Sequence, residues 1–458
     1  MLFSVEALTK EQLESVHEAT LDLLNRYGIV MQHAPSRELL KKHGAKVEGE
    51  TVKIPRNLVE DALRNVPASF SVVGRNPKNK ITIGGQKIPV LGPGGGAIYA
   101  YDLEKGRRAV GLQELRDILA LTQSSTDIEA VCAGNVYSKQ FSAQQAMLET
   151  IRLSDKPMIG ISLSKKVSED CLEMARIATG VTGEQYLIGV FSTNSPMLWE
   201  KNMLDSLWVY AEKNQPLIIA CASMAGFTSP VSLISTVVQD NAEVLAGIVM
   251  AQLINPGVPV VYGNTSTITD MLTMNLCIGA PEYALISAAA GQLARYYGIP
   301  YRSGGGLTDA KELDTQAGIE AATNLLFTFA NKVDFVLQTP GVMESFLTVS
   351  YEKWIIDEEI CGRIKRMFKG IGELPTDAVN KIGEVGASGH FLDKPETLKS
   401  FRSEFYQPPV SDRSNLTGWE KKNKDLQQAA YEKWKKRLEE FVAPELPQDV
   451  ARELQKYV

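Results

Sequence analysis

Histidine is nearly missing from this chain. Its 458 residues contain four, His17, His33, His43 and His390, and none falls between residues 44 and 389. That gap weakens any Ser-His-Asp or Cys-His nucleophile and leaves the middle of the chain without the commonest zinc ligand. Cysteine is scarce as well. Cys132, Cys171, Cys221, Cys277 and Cys361 are odd in number, widely spread and never at zinc-finger spacing, as expected of reduced thiols in a cytoplasmic enzyme. A zinc site assembled in space from Cys132, Cys221 and a glutamate is the metal alternative, but small buried thiols are the expectation, with no metal on this chain. Positive charge is in deficit, with 48 Lys and Arg against 54 Asp and Glu. A net charge of -6 lacks the broad basic field that nucleic-acid binding uses, so no nucleic acid is expected as a partner. No unbroken run of about 18 apolar residues argues for a membrane span. The start, "MLFSVEALTKEQLESVHEATLDLLNRYG", has no basic region followed by an apolar core and cleavage site, so it does not read as a signal peptide.

What is present is core material: 44% hydrophobic and 22% charged residues, enough for one large globular domain or two. Residues 9–28 carry apolar positions at helical spacing, with Thr9 as N-cap and Gly28 as the stop. A hairpin pattern, a helix over Arg56 to Asn65 and a strand-like stretch complete an N-terminal α+β elaboration, residues 1–85. From about Ile88, eight short apolar runs alternate with helical patterns: "IPVLGPG", "IEAVCAGN", "PMIGISLS", "QYLIGVFSTN", "PLIIACAS", "VPVVYGNTS", "IPYRSGGG" and "DFVLQTPG". Near-continuous apolar strands suit a parallel sheet, and eight strand-helix units predict an α/β fold, a (β/α)8 TIM barrel, over residues 86–385. An open doubly wound sheet is the rival topology. Residues 386–458 read as a C-terminal helical extension, packed on the barrel or on a sister subunit of a homo-oligomer.

Barrel chemistry sits at the carboxyl ends of the strands. The seventh run ends in "YRSGGGLTDAKELD", and Gly304, Gly305 and Gly306 raise a phosphate cradle as one possibility. Against it, Asp309, Glu312 and Asp314 face Lys311 alone. The alternatives are a structural turn, or room for a ligand to approach backbone, with Asp309 facing a partner and the acids capping the next helix. Aromatics cluster near strand ends: Tyr99 and Tyr101, Trp199, Tyr262, then Phe346, Tyr351 and Trp354. Several ring faces at one mouth would hold a cation that lacks N–H donors, each contributing about 0.5–2 kcal/mol.

The stretches "SGGGLTDAKELDTQAGIEAA", "IGAPEYALISAAAGQLARYYGIP", "TPGVMESFLTVSYEKWIIDEEICG" and "FYQPPVSDRSNLTGWEKKNKDLQQAAYEKW" resemble the trimethylamine methyltransferase family along nearly the whole chain. The resemblance implies a barrel enzyme that passes a methyl group from an amine to a corrinoid carried on a separate small protein. Archaeal trimethylamine enzymes of this family contain pyrrolysine, whereas this chain has only standard residues. It is therefore similar to the non-pyrrolysine branch, whose substrates are quaternary amines such as glycine betaine, proline betaine and carnitine, with butyrobetaine a further possibility. A quaternary nitrogen is already a competent leaving group, so the expected step is in-line displacement of a methyl carbon by Co(I). Positioning and water exclusion should then dominate over acid-base work.

On that reading the Gly304–Gly306 loop and Asp309 are the candidate catalytic elements. Tyr99, Tyr101, Trp199, Tyr262 and Phe346 are candidates for the cation end of the substrate. Arg302 is the first candidate for its carboxylate, because guanidinium grips carboxylate in bidentate fashion; a structural ion pair with a neighbouring acid is the alternative. Gln338, Ser345, Asn194 and Asn264 could add neutral hydrogen bonds. Two other functions compete: a phosphate-ligand-binding TIM-barrel lyase or synthase, and a protein that only sequesters betaine.

Overall fold

In the computed structural model, which describes residues 4–458, the eight apolar runs form one parallel sheet closed on itself. The strands are β1 (Val90–Leu91), β2 (Val131–Cys132), β3 (Met158–Ile159), β4 (Leu187–Ser192), β5 (Leu217–Cys221), β6 (Val260–Asn264), β7 (Tyr301–Gly304) and β8 (Phe335–Leu337). Each pairs with its neighbour in chain order, and β8 returns to β1 through Phe335 opposite Val90. The remaining seam closes where the Glu129 and Ala130 amides donate to Leu91 O. A helix follows every strand: α1 (Leu112–Gln123), α2 (Ala143–Leu153), α3 (Lys165–Thr179), α4 (Lys201–Glu212), α5 (Leu233–Ile254), α6 (Pro281–Tyr296), α7 (Thr315–Ala330) and α8 (Tyr351–Lys369). The (β/α)8 barrel is the fold, and the open sheet is excluded.

Strand alternation decides what fills the lumen. Val90, Ala130, Ile159, Ile188, Ile218, Val261 and Phe335 meet in one apolar cluster along the axis. Phe70, Val72, Ile81 and Ile83 belong to the same cluster. They come from an antiparallel hairpin, Phe70–Val73 with Lys80–Ile83, which plugs the amino-terminal end of the barrel. Burying each such side chain stabilises by about 1.5–3 kcal/mol, so the plug is held by the same force as the barrel itself.

The rest of the N-terminal region packs outside. Helix Lys10–Arg26 begins at Thr9, whose hydroxyl accepts from the Gln12 amide, and Gly28 follows its end with φ +77°. This helix and Arg56–Asn65 lie against α5. That helix is long and apolar enough to cross a bilayer by length and composition, yet it is mostly buried and carries Asp240 and Glu243 in its middle.

At the other end, helix Leu426–Glu439 packs on α8 and α1 through buried Ala430 and Trp434, and Gln448–Leu454 packs on α3. Between them and the barrel, the short helices Ala378–Val385 and Pro395–Glu404 contain no buried residue.

Candidate active site at the barrel mouth

With its lower end plugged, the barrel is open only to ligands at the carboxyl ends of the strands. Val190, although inside, is partly exposed between buried Gly189 and Phe191, and Ser192 and Ala222 above it are progressively more open. Solvent therefore reaches into the well from above.

Arg302 projects into this well. Its neighbours Tyr301 and Ser303 point outward, where both hydroxyls bond Ser287 of α6, so alternation turns Arg302 and Gly304 inward. The residue beside Arg302 in register is Gly263, itself opposite Ala220, and this pair of small residues leaves lumen volume for the long side chain. Arg302 is 3% exposed, and burial lowers its pKa. It has no carboxylate within 4 Å among the described residues, so the structural ion pair is not what holds it. Its Nη2 donates to Gln338 Oε1, while Nε has no partner among the described residues. A desolvated guanidinium with spare donors costs several kcal/mol unless an anion meets it.

Gln338 owes its position to a left-handed backbone, φ +51°, directly after β8, where Gly94 leaves room for it. The same loop contains three consecutive non-glycine residues in that region: Glu344, Ser345 and Phe346 at φ +52°, +50° and +77°. Each stores about 1–3 kcal/mol of strain, which the surroundings must over-determine. They do so. The Glu344 amide donates to Ala310 O and the Ser345 amide to Thr308 O, and Ser345 Oγ donates to Asp309 Oδ1 at 2.6 Å. The result aims Phe346 into a narrow cleft shared with Gly94, Gly95 and Asn135. Asn135, buried at the end of β2, donates to Gly94 O at 2.6 Å, and its Oδ1 has no partner among the described residues. The mouth thus offers two kinds of unmet polar atom: a cationic donor at Arg302 and a neutral acceptor at Asn135, beside the Phe346 ring.

Other residues singled out in the sequence are placed elsewhere. Trp199 is fully buried outside the barrel, its Nε1 donating to Glu243 O and its ring over Gly247. Tyr262 alternates outward between Val261 and Gly263, and its hydroxyl donates to Asn241 of α5. Tyr351 and Trp354 are buried at the start of α8, the Tyr351 hydroxyl on Asp117. None of the four reaches the mouth. Tyr99 and Tyr101 lie half-buried on a strand paired with Thr348–Ser350 above the β8 to β1 edge. The Tyr99 face is covered by the Arg107 guanidinium at 3.5 Å, itself bidentate on Glu344. The Tyr101 hydroxyl has its pKa raised by burial and by Glu352, Glu312 and Asp102. The five-ring cage expected from the sequence is not assembled, and Phe346 is the ring of that set that lines the cleft.

The glycine run serves close packing. Side chains at Gly304 and Gly305 would strike Tyr283, Leu307, Val336 and Thr339, and one at Gly306 would lie 2.2 Å from Thr339 O. The Gly304 amide donates to Tyr283 Oη and the Gly306 amide to Gln338 O, so two of the three glycine amides are already engaged and a cradle of three free donors for phosphate is not present. Asp309 does not face outward either. Its carboxylate accepts from the Ile278 and Gly279 amides, both at 2.9 Å, and from Ser345, tying the loops after β6, β7 and β8 together. Asp314 caps α7.

Behind β5 and β6 lies a buried acidic pair that the sequence reading missed. Glu243 accepts from Thr193, Ser195, Gln239 and the Met197 amide. Asp240 accepts from Ser223 and Asn264, and burial pushes its pKa up to about 7. Asn264 also donates to the buried Cys221 thiol at 3.3 Å, so Asn264 and Cys221 belong to this framework and not to the well. Asn194, exposed, bonds Glu200. Among the described residues no group of three or more His, Cys, Asp or Glu is arranged to hold a metal ion.

Residues 2–458 match the family model for trimethylamine methyltransferase. A glycine betaine methyltransferase from Desulfitobacterium hafniense is 39% identical, over 98% of this chain and 96% of its own length. A proline betaine:corrinoid methyltransferase and an L-carnitine:corrinoid methyltransferase, both from Eubacterium limosum, are each 30% identical, over 98% and 95% of this chain and 96% and 93% of theirs. The solved monomethylamine methyltransferase of Methanosarcina barkeri shares the fold, with a TM-score of 0.58 at 13% identity, covering 95% of this chain and 89% of its own.

Proposed function

The chain belongs to the trimethylamine methyltransferase family, and from that premise we propose that it moves a methyl group from a quaternary amine bearing a carboxylate, glycine betaine first, to the Co(I) corrinoid of a small partner protein. One observation carries the reading: a buried arginine in the well with no acid to neutralise it. A betaine supplies the missing anion. Its carboxylate would accept from the free Arg302 donors, with Gln338 fixing the guanidinium plane. Its trimethylammonium would lie towards Phe346 and the unpaired Asn135 oxygen, both suited to a cation whose charge is spread over methyl hydrogens.

Electron bookkeeping needs no proton. The N–CH3 bond breaks with its pair left on nitrogen, giving a neutral dimethylamino group; the new C–Co bond takes its pair from Co(I), which becomes formally Co(III). Charge disperses on the way, so a carboxylate against the ammonium would favour the ground state over the transition state. The acids around the mouth are otherwise occupied: Asp309 and Glu344 hold loops, and Asp240 and Glu243 sit behind the strands. What the chain contributes is position and a partly dry well. We place this activity in the cytoplasm, where five free thiols remain reduced.

Purified chain mixed with reduced corrinoid protein and a panel of betaines should produce methyl-Co(III) absorbance with glycine betaine and dimethylglycine in equal amount. Binding without methyl transfer would support sequestration instead, and turnover of a phosphorylated metabolite would support the lyase or synthase.

A further inference from the structure

The rim of the well is uneven. Over β7, β8 and β1 the loops are bound to one another by Asp309, Ser345, Glu344 and Arg107, and the polar groups there are engaged. Over β5 and β6 the chain instead builds a small raised sheet, in which Met224–Ala225 pairs with Thr267–Thr269 and this strand pairs with Leu276–Cys277. The hairpin formed by the last two strands projects from the barrel. Its tip carries Met271, Leu272 and Met274, of which Leu272 is 95% exposed. Asp270 locks that tip by accepting from the Leu272 and Thr273 amides. Next to it, Phe227 is 64% exposed on a turn whose Gly226 lies beside Met271.

Four large apolar side chains on a rigid, protruding hairpin and its neighbouring turn would weaken solubility if nothing covered them. Methionine and phenylalanine are also side chains that protein interfaces select. We infer that the Phe227 turn and the Met271–Met274 hairpin tip are the docking face for the corrinoid-carrying protein, which seats itself on the β5–β6 side of the rim. This rests on the functional reading above and goes beyond it by naming the contact. The occupant follows from geometry. The plugged lower end forces cobalt to approach from the rim, so the protein bearing it must cover the mouth, and the hairpin tip carries Leu272, the most exposed large apolar side chain among the described residues. The opposite side of the rim exposes Ile98, Tyr137 and Leu347, each far less than Leu272, on loops tied to one another by backbone hydrogen bonds.

The variants Leu272→Asp and Phe227→Asp place charge on exposed positions and should fold with an unchanged melting temperature. With the corrinoid protein as acceptor, kcat/KM for that acceptor should fall tenfold or more, with free cob(I)alamin turnover and glycine betaine affinity unchanged. Equal loss with both acceptors, or no loss with either, overturns the assignment. So does sedimentation showing that the rim instead joins two copies of this chain and that Leu272→Asp separates them. If the unaltered chain methylates neither acceptor, the functional reading itself fails and takes this inference with it.

Discussion

Replacing Arg302 with methionine removes the charge and keeps the volume. In the ligand-free protein the guanidinium is 3% exposed and has Gln338 as its partner. Burial lowers its pKa, so the folded state disfavours the charged form and loses stability at neutral pH by holding it. The substitution relieves that cost while leaving Gln338 Oε1 without a donor, worth about 1–3 kcal/mol in the other direction. Ligand-free stability should therefore stay level or rise. Substrate binding should change far more, because truncating one side of a buried charge pair costs about 3–5 kcal/mol, or roughly 150- to 5000-fold in affinity. Calorimetric titration with glycine betaine, beside tetramethylammonium as a cation without a carboxylate, separates the two ends of the site. Affinity for glycine betaine should collapse while that for tetramethylammonium holds. If both fell together, or if the ligand-free variant melted several degrees lower, Arg302 would be a structural residue and the anchor would be wrong.

Tyr262→Phe should leave the KM for substrate unchanged and cost about 1 kcal/mol in urea unfolding, through the lost bond to Asn241. Gly306→Ala should destabilise the chain by about 1–3 kcal/mol, because the new carbon would lie 2.2 Å from Thr339 O; an unaltered unfolding midpoint would refute the close-packing role of the loop. Asp240 has its folded pKa raised to about 7 by burial, from an ordinary value near 3.8. The folded state therefore binds the extra proton between those limits, and its contribution to stability is present at low pH and lost as pH rises through about 7. The slope is at most about 1.4 kcal/mol per pH unit. Asp240→Asn should flatten the pH dependence of the melting temperature over that window.

Every barrel strand was legible, because a parallel strand buried on both faces writes itself as a short apolar run bounded by turns. The position of Arg302 was legible too, at the end of one of those runs. What the pattern could not supply was parity. Tyr262 and Arg302 both sit near the ends of adjacent apolar strands, yet one faces α5 and the other the lumen, and in a run apolar on both sides nothing in the local sequence says which. Trp199 misled for a related reason: the chain after β4 leaves the barrel to pair with Ile29–Met31, a contact spanning some 170 residues of sequence. Asn135 went unnoticed because a single asparagine after "CAG" looks like any loop residue until its oxygen is seen to lack a partner. The plug hairpin was visible as a strand-like stretch, but its destination under the barrel was a matter of tertiary packing.

That hairpin gives the enzyme a single doorway. Whatever enters past Val190 must leave the same way, and a partner seated over the entrance bars exit as surely as it bars water. If the corrinoid protein seats itself over that doorway as inferred, demethylated product is held captive until it departs, each cycle releases partner before product, and saturating amounts of partner should slow turnover instead of speeding it.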